Sequence, residues 1–405
     1  MKSELLAPAG NYDKFLTALH FGADAVYLGG KRFSLRTFAD NFTDEELAKA
    51  ISVAHGLGKK VYITANIFAK NADFSTLKDY FVYLSQIGAD AVIVSDVGVA
   101  YLAKTVAPKL EIHLSTQANT TNAYAVKFWK EQGVSRVILA RELSLKEIAE
   151  IRDFVPDIEL EAFVHGAMCI SYSGRCLLSD YLDGRSSNRG ACVQACRWKY
   201  EVRALNATGG VSEWLPIEED GKGSYIFNSK DLNMFSHLDE LKNAGVNSFK
   251  IEGRMKSEYY LATVINAYRR ALDGANEKDL KRELLNVAHR DYTTAYAFGE
   301  NPSTVNYENG QSKGDYTYIG NVLGYDDGFA VVEMRNRFKQ GDELEILSPS
   351  NSFKKTFVVK AVYDSHGEIS QDCKLVQEKD RVECPYPLQK GDFLRRKSGS
   401  NPLTD

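Results

Sequence analysis

The sequence predicts an α/β chain in which parallel strands, mostly followed by helices, close into one barrel, followed along the chain by a small antiparallel β-barrel. Two observations carry this. A phrase of helix, glycine, short apolar run and polar end recurs four times, as Gly22-Ala-Asp-Ala-Val-Tyr-Leu-Gly-Gly30, Gly88-Ala-Asp-Ala-Val-Ile-Val-Ser-Asp96, Gly133-Val-Ser-Arg-Val-Ile-Leu-Ala-Arg141 and Gly245-Val-Asn-Ser-Phe-Lys-Ile-Glu-Gly253. Each glycine suits the left-handed position that ends a helix, and each mostly apolar run suits a strand covered from outside. Four more strand-like runs, at 4–9, 60–68, 111–118 and 158–164, fall between these phrases. Together they make eight strands with mostly regular crossovers, the pattern of a TIM-type (β/α)8 barrel. An open doubly wound sheet is the alternative. Against it, the first turn, Ala7-Pro-Ala-Gly-Asn11, is not a Gly-x-Gly-x-x-Gly phosphate loop, and no such loop follows another strand.

Most strands are followed by an amphipathic helical segment, such as Asp44–Gly56 and Leu145–Phe154. Between the seventh strand and the eighth lies an insertion of about seventy residues, far longer than an ordinary connection, and that length marks it as functional. In a TIM barrel the loops after the strands build the active site, so this insertion, at about 165–225, is expected over the barrel mouth. Residues 205–223, rich in Gly, Glu and Asp, read as an exposed excursion within it. A long helix at 257–272 completes the barrel, which is assigned to 1–298 with a polar linker at 299–314. Residues 315–405 then change to short β runs at 318–322, 329–334 and 344–346, with turns at Gly341-Asp342 and Gly391-Asp392. These predict a small antiparallel β-barrel. Its basic tail, Arg395-Arg396-Lys397, is expected either to touch nucleic acid or to be solvated.

Composition excludes several classes. With 405 residues, 44% hydrophobic, 26% charged and a formal net charge of −4, the chain has no global basic character that would mark a nucleic-acid binder. No apolar run approaches the roughly 20 residues of a membrane span. The first ten residues lack the charged and apolar regions of a signal peptide, so a cytoplasmic protein is expected.

Chemistry concentrates in one stretch. Four of the six cysteines fall in the order Cys169-x6-Cys176-x15-Cys192-x3-Cys196, among several arginines. Four thiolates hold either a tetrahedral zinc ion or one cubane iron–sulfur cluster. Zinc sites usually pair their ligands in two close knuckles, and here only Cys192 and Cys196 are close, so the spacing favours iron–sulfur. Two disulfides or four independent buried thiols are the bland alternatives, less expected in a reducing compartment. Cys373 and Cys384 read as structural.

The segment Glu161-Ala-Phe-Val-His-Gly-Ala-Met-Cys169-Ile-Ser-Tyr-Ser-Gly-Arg-Cys176-Leu-Leu-Ser179 resembles the signature of the collagenase-like peptidase family U-32. Leu5-Leu-Ala-Pro-Ala-Gly10, the Gly-Ala-Asp-Ala-Val-Tyr phrase and Asn228-Ser-Lys-Asp-Leu232 are similar to that family as well, so the likeness spans the chain. Members include collagen-degrading proteases and hydroxylases of tRNA, ribosomal RNA or a quinone precursor. Through Gly190-Ala-Cys-Val-Gln-Ala-Cys-Arg-Trp198 the chain is most similar to the subgroup that makes 5-hydroxyuridine at the tRNA wobble position with prephenate. The resemblance implies a 4Fe-4S cluster, with Cys169, Cys176 and Cys192 at three ligand positions. Some relatives take their last ligand near the position of Asn228-Ser-Lys-Asp; here Cys196 is the substitute.

The dicarboxylate prephenate implies paired cations, and guanidinium groups bind carboxylates in bidentate fashion. Arg141 and Arg254 follow repeat strands and are the candidates, with ion pairs to Glu142 and Glu252 as their structural alternative. Lys230, Gln117, Asn66 and Glu161 are further rim candidates, Glu161 also as a brace. For tRNA, Arg175, Arg185, Arg189, Arg197 and Lys199 offer charge, and Tyr172, Tyr181 and Trp198 offer stacking faces. The alternative is a solvated arginine-rich loop. A paralogous family member or a second copy of the chain is a further expected partner. Two competing functions stay open: a peptidase using Cys169 with His165, without any His-Glu-x-x-His or Gly-x-Ser-x-Gly motif, and a non-catalytic RNA-binding module.

Overall fold

The computed structural model describes residues 3–35, 40–198, 229–299, 314–364, 367–370 and 372–398. Lys199, Asn228, the excursion at 205–223 and nearly all of the linker at 299–314 lie outside the described residues.

The chain forms β1 (Glu4–Pro8), α1 (Tyr12–His20), β2 (Ala25–Leu28), α2 (Asp44–Gly56), β3 (Lys60–Thr64), α3 (Phe74–Gln86), β4 (Ala91–Val94), α4 (Val97–Val106), β5 (Glu111–Leu114) and α5 (Ala123–Glu131). It continues with β6 (Arg136–Ile138), α6 (Leu145–Phe154), β7 (Glu159–Ala167), α7 (Leu178–Asp183), β8 (Asp231–Asn233), α8 (Leu238–Asn243), β9 (Ser248–Ile251), α9 (Glu258–Leu272), α10 (Glu277–Glu283) and β10 (Tyr292–Thr293). Strands β1 to β7 pair in sequence order, all parallel, and β9 pairs in parallel with both β7 and β1. This closes a ring of eight parallel strands, the expected TIM-type barrel.

Local chemistry explains the elements. The repeat glycines Gly22, Gly88, Gly133 and Gly245 take φ of +98°, +80°, +94° and +91°, where a side chain would be strained, and each lies between a helix and the next strand. Thr43 opens α2 with a capping box, its Oγ1 accepting from Glu46 N at 3.2 Å while Glu46 Oε2 accepts from Thr43 N at 2.9 Å. Ser144 and Glu147 do the same for α6. The strands contribute Leu5, Val26, Ile63, Val92, Leu114, Val137, Leu160 and Phe249, all fully buried. Each such side chain contributes about 1.5–3 kcal/mol relative to exposure.

Two short strands were not foreseen. β8 runs antiparallel against the end of β7, with His165 opposite Asn233, and β10 pairs in parallel with β8. They extend the sheet beyond the ring where β7 continues past its neighbours. Among the described residues no helix is long and apolar enough to cross a membrane.

By internal contacts the chain divides into two units. The first comprises Met1–Phe15, Asp24–Met255 and Arg290–Ser312, and the second Leu16–Ala23, Lys256–His289 and Lys313–Asp405. The second holds β11 (Tyr316–Asp326), β12 (Phe329–Met334), β13 (Phe338–Lys339), β14 (Glu343–Leu347), β15 (Thr356–Val358), β16 (Val362–Tyr363), β17 (Ile369–Ser370), β18 (Asp372–Cys373), β19 (Lys379–Glu383) and β20 (Phe393–Lys397). Eight of these form one antiparallel half-barrel in the order β15-β14-β20-β11-β12-β19-β16-β17, and β13 pairs with β18. Its core includes Ile319, Val332, Phe338, Ile346, Val382 and Leu394. The tail is neither solvated nor free for RNA at its first position: Arg395 is fully buried, bonded to Glu345 and 2.8 Å from Glu283, because β20 lies inside the sheet.

Candidate cofactor centre at the barrel mouth

After β7 the chain leaves the barrel through the segment that carries the four cysteines, and loops at the strands' C-terminal ends hold this lobe in place. Glu142, after β6, accepts from Ser173 N at 2.9 Å and Ser173 Oγ at 3.1 Å. Asn119, after β5, donates to Ser173 O at 3.1 Å. After β3, Phe68 O and Asp73 Oδ2 accept from Arg189 Nη1 at 2.6 and 3.0 Å. Gly174 (φ +76°) lies so close to the Gln117 carbonyl that a Cβ would collide with it. The lobe therefore sits over the barrel mouth, as the length of the insertion implied.

All four lobe cysteines are free thiols, so neither disulfide forms. Their fields overlap. The hydrogen bond from Cys169, against some burial, pulls the Cys176 thiol down to about 5, helped by the Ser171 hydroxyl and the backbone N–H groups of Leu178 and Ser179. The same bond, then burial, pushes Cys169 up, and Cys196 adds to the rise. Burial raises Cys196 too, opposed by Arg197, with Cys192 and Cys176 as further upward influences. Gln194 N donates to Cys192 Sγ at 3.4 Å. Amide hydrogen bonds of this kind stabilise thiolates and set the potential of bound clusters.

The donor set thus fits a soft metal centre. Zinc–sulfur bonds of about 2.3 Å would place tetrahedral sulfurs about 3.8 Å apart. Among the described residues, the one trio of Cys, His, Asp and Glu ligand atoms gathered within 4.8 Å does not include these four cysteines.

Other candidates fall into separate groups. Glu161, fully buried, lies inside the barrel, with Lys250 Nζ at 2.7 Å and Arg136 Nη1 at 3.1 Å. Arg136 also reaches Glu4 at 2.6 Å and Glu159 at 2.7 Å. Burial alone would lower the Arg136 pKa, but Glu161 and Glu4 outweigh it and raise it, whereas burial of Lys250 prevails over Glu161 and lowers that one. Glu161 is a brace for these cations, not a rim group. Arg136 and Lys250 were not singled out in the sequence; the polar positions alternating with apolar ones in their strands were the available signal.

Arg141 donates to Ala167 O at 2.8 Å, lies over the Phe163 ring at 3.8 Å and stands 3.9 Å from Glu252. Its acidic neighbour is therefore Glu252, while Glu142 serves the lobe. Arg254, only 3% exposed, donates to Ser34 Oγ at 2.8 Å, Leu35 O at 2.9 Å, Thr64 Oγ1 at 3.3 Å and Asn41 Oδ1 at 2.5 Å. Gly29 makes room for it, since a Cβ there would strike Arg254 Nη2 and Ser34 Oγ. Asn66 holds this neighbourhood through Leu35 N at 3.2 Å. Arg141 thus belongs to the β6, β7 and β9 side of the mouth and Arg254 to the β2 and β3 side.

Lys230, half-buried just before β8, has no side-chain partner among the described residues. His165 is buried in β7 with its ring 5.4 Å from Tyr292. On the lobe, Tyr172, Leu177, Tyr181 and Trp198 are exposed beside Arg175 and Arg185. Arg189 is instead spent on anchoring, and Arg197 bonds Gln194. Beside the cysteines, Asp231 and Arg290 form a buried pair at 2.5 Å that the sequence did not announce.

Comparison with known proteins agrees with this architecture. The pattern of Peptidase family U32 matches residues 10–306, and that of the Peptidase family U32 C-terminal domain matches 314–395. The tRNA hydroxylation protein P1 of Bacillus subtilis (strain 168) is 42% identical over 382 residues, covering 90% of this chain and 88% of that protein. The tRNA hydroxylation protein P of Escherichia coli (strain K12) is 39% identical over 411 residues, covering 91% and 90%. A collagenase of Porphyromonas gingivalis (strain ATCC BAA-308 / W83) is 30% identical over 371 residues, covering 86% and 87%. The chain belongs to peptidase family U32.

Proposed function

We propose that this chain is a cytoplasmic tRNA-modifying hydroxylase that makes 5-hydroxyuridine at the wobble uridine, with prephenate as the hydroxyl source and a 4Fe-4S cluster on Cys169, Cys176, Cys192 and Cys196. The observation that carries the reading is the lobe itself: four free thiols, one of them accepting from a backbone amide, held by loops at the strands' C-terminal ends, with exposed aromatic rings and arginines on the same segment. The relatives named for tRNA hydroxylation support an RNA-modifying enzyme. Bound there, such a cluster supplies redox chemistry that side chains lack.

The chain's own residues do the rest. Tyr172, Tyr181 and Trp198 offer faces for an unstacked loop base, and Arg175 and Arg185 offer phosphate contacts. Drawing in a wobble base opens no duplex and costs only a few kcal/mol. Arg141, Lys230 and Arg254 supply positive charge at the mouth for a dicarboxylate. The peptidase reading, which the collagenase relative favours, asks for Cys169 to act as a nucleophile with His165.

Nucleoside mass spectrometry of tRNA from cells with and without the gene, grown anaerobically, tests the proposal. Loss of 5-hydroxyuridine and its derivatives, restored by the wild-type chain and not by Cys176→Ser, is the expected result. Unchanged nucleosides, or proteolysis that persists without iron and disappears in Cys169→Ser, would overturn it.

A further inference from the structure

Outside the barrel, Cys373, Glu378 and Asp380 come together where β18 passes into β19. One ligand atom from each lies within 4.8 Å of the other two. Cys373 is fully buried and Asp380 is 2% exposed. Asp380 Oδ1 has no hydrogen-bond partner among the described residues, although it is shut away from water. A buried carboxylate oxygen without a partner costs several kcal/mol unless a proton or a cation compensates it.

The rest of the cluster is already arranged. Glu378 Oε2 accepts from Lys374 N at 3.3 Å and Leu375 N at 3.0 Å, and lies 3.8 Å from Cys373 Sγ. Neighbouring cations are engaged elsewhere: Lys374 Nζ stands 3.1 Å from Asp372, which also bonds Arg337. Burial, with the Asp380 and Glu378 carboxyls beside it, pushes the Cys373 thiol up; burial likewise raises Asp380, against the influence of the Cys373 thiol.

We propose that Cys373, Glu378 and Asp380 form a site for one thiophilic divalent cation, zinc by its chemistry, separate from the four-cysteine lobe. A thiolate with two carboxylates suits zinc, which takes sulfur at about 2.3 Å and oxygen at about 2.0–2.2 Å, whereas calcium and magnesium take oxygen ligands. Zinc entry releases the thiol proton, and any proton on Asp380, to solvent. Three protein ligands leave a fourth position for water. The ion would clamp the β18–β19 connection and so join the β13–β18 ribbon to the half-barrel.

The test uses the full chain with Cys169, Cys176, Cys192 and Cys196 all changed to serine, so that their sulfur gives no signal. Cobalt(II) should produce a sulfur-to-metal charge-transfer absorption that saturates at about one ion per chain, and zinc should bleach it. Cys373→Ser should abolish the band, and Asp380→Asn should remove the rise in melting temperature that zinc gives the parent. No band with excess cobalt, or a band that survives Cys373→Ser, overturns the site. So does a melting temperature indifferent to both zinc and Asp380→Asn, the behaviour of a merely protonated buried acid. Should the four-serine chain fail to fold by circular dichroism, elemental analysis of zinc in the anaerobically reconstituted wild-type chain against Cys373→Ser decides: a difference of about one zinc supports the site, and equal zinc overturns it.

Discussion

Glu161→Gln separates a brace from a reacting group. The carboxylate is fully buried, with Lys250 Nζ at 2.7 Å and Arg136 Nη1 at 3.1 Å. Arg136 keeps Glu4 and Glu159 after the change, but Lys250, whose pKa burial already lowers, loses its carboxylate partner. Removing one partner of a buried ion pair costs about 3–5 kcal/mol. For a cooperative unit of roughly 300 residues, unfolding entropy of about 2.1 cal/mol/K per residue gives about 0.6 kcal/mol/K, so the barrel's transition should fall by about 5–8 °C. Scanning calorimetry at pH 7 measures it. Because the wild-type partner favours charged Lys250, the deficit should narrow at high pH, where Lys250 is neutral in both proteins. Glu161→Leu combined with Lys250→Met should recover much of the loss, since apolar replacement of a buried pair is often neutral. A drop below about 2 °C, or a folded variant with no tRNA hydroxylation at temperatures where it is fully native, would refute the bracing role.

Three other outcomes are expected. Arg254→Lys removes a fork that serves four protein oxygens, and at about 1.5–3 kcal/mol for hydrogen bonds from a charged group the melting temperature should fall by a few degrees in scanning calorimetry; an unchanged transition would show that the fork does not brace the β2 and β3 side. The hydrogen bond from Arg189, then that from Lys70 N, depresses the Asp73 carboxyl. Its contribution to lobe docking is thus present above the unfolded carboxyl value of about 3.9 and lost as pH falls through the lower folded value; hydrogen exchange at residues 186–190 should accelerate there, and Asp73→Asn should abolish that pH dependence. Trp198→Ala with Tyr181→Ala should weaken tRNA binding by about 2–6 kcal/mol if each ring stacks one base, whereas equal affinity by fluorescence titration would make the lobe a solvated surface.

The barrel was legible because its repeat is physical: a helix must end, glycine ends it, and a covered strand must be apolar, so Gly22, Gly88, Gly133 and Gly245 mark four of the crossovers. β8 and β10 were not, because strands of three and two residues carry no measurable alternation and are fixed by pairing with the overhanging end of β7. Cysteine spacing located the lobe. It could not show that Arg189 anchors the lobe while Arg175 stays exposed, since both lie in one arginine-rich run and only tertiary contact with Asp73 tells them apart. Arg395 misled for a related reason: three basic residues in a row look solvated, yet alternate side chains of a strand face opposite ways, and Glu283 and Glu345 meet the inward one.

Charge pairing inside the barrel bears on what the mouth can select. Lys250 and Arg136 are neutralised by Glu161, Glu4 and Glu159 within about 3 Å, so their fields largely cancel beyond the network. An anion above the strands would then respond mainly to side chains past their C-terminal ends. There Arg141 is balanced only at 3.9 Å by Glu252, Arg254 donates to hydroxyl, amide and carbonyl oxygens, and Lys230 has no side-chain partner among the described residues. Charge on flanking loops, not in the barrel interior, would therefore distinguish a dicarboxylate from a neutral ligand. One of these loops, after β6, carries both Arg141 and Glu142, and with Asp73 after β3 and Asn119 after β5 it holds the cysteine lobe. Charge above the strands and placement of the cysteine lobe thus meet at the loop after β6, so a substitution at Glu142, which touches no cysteine, is expected to shift both the lobe and Arg141.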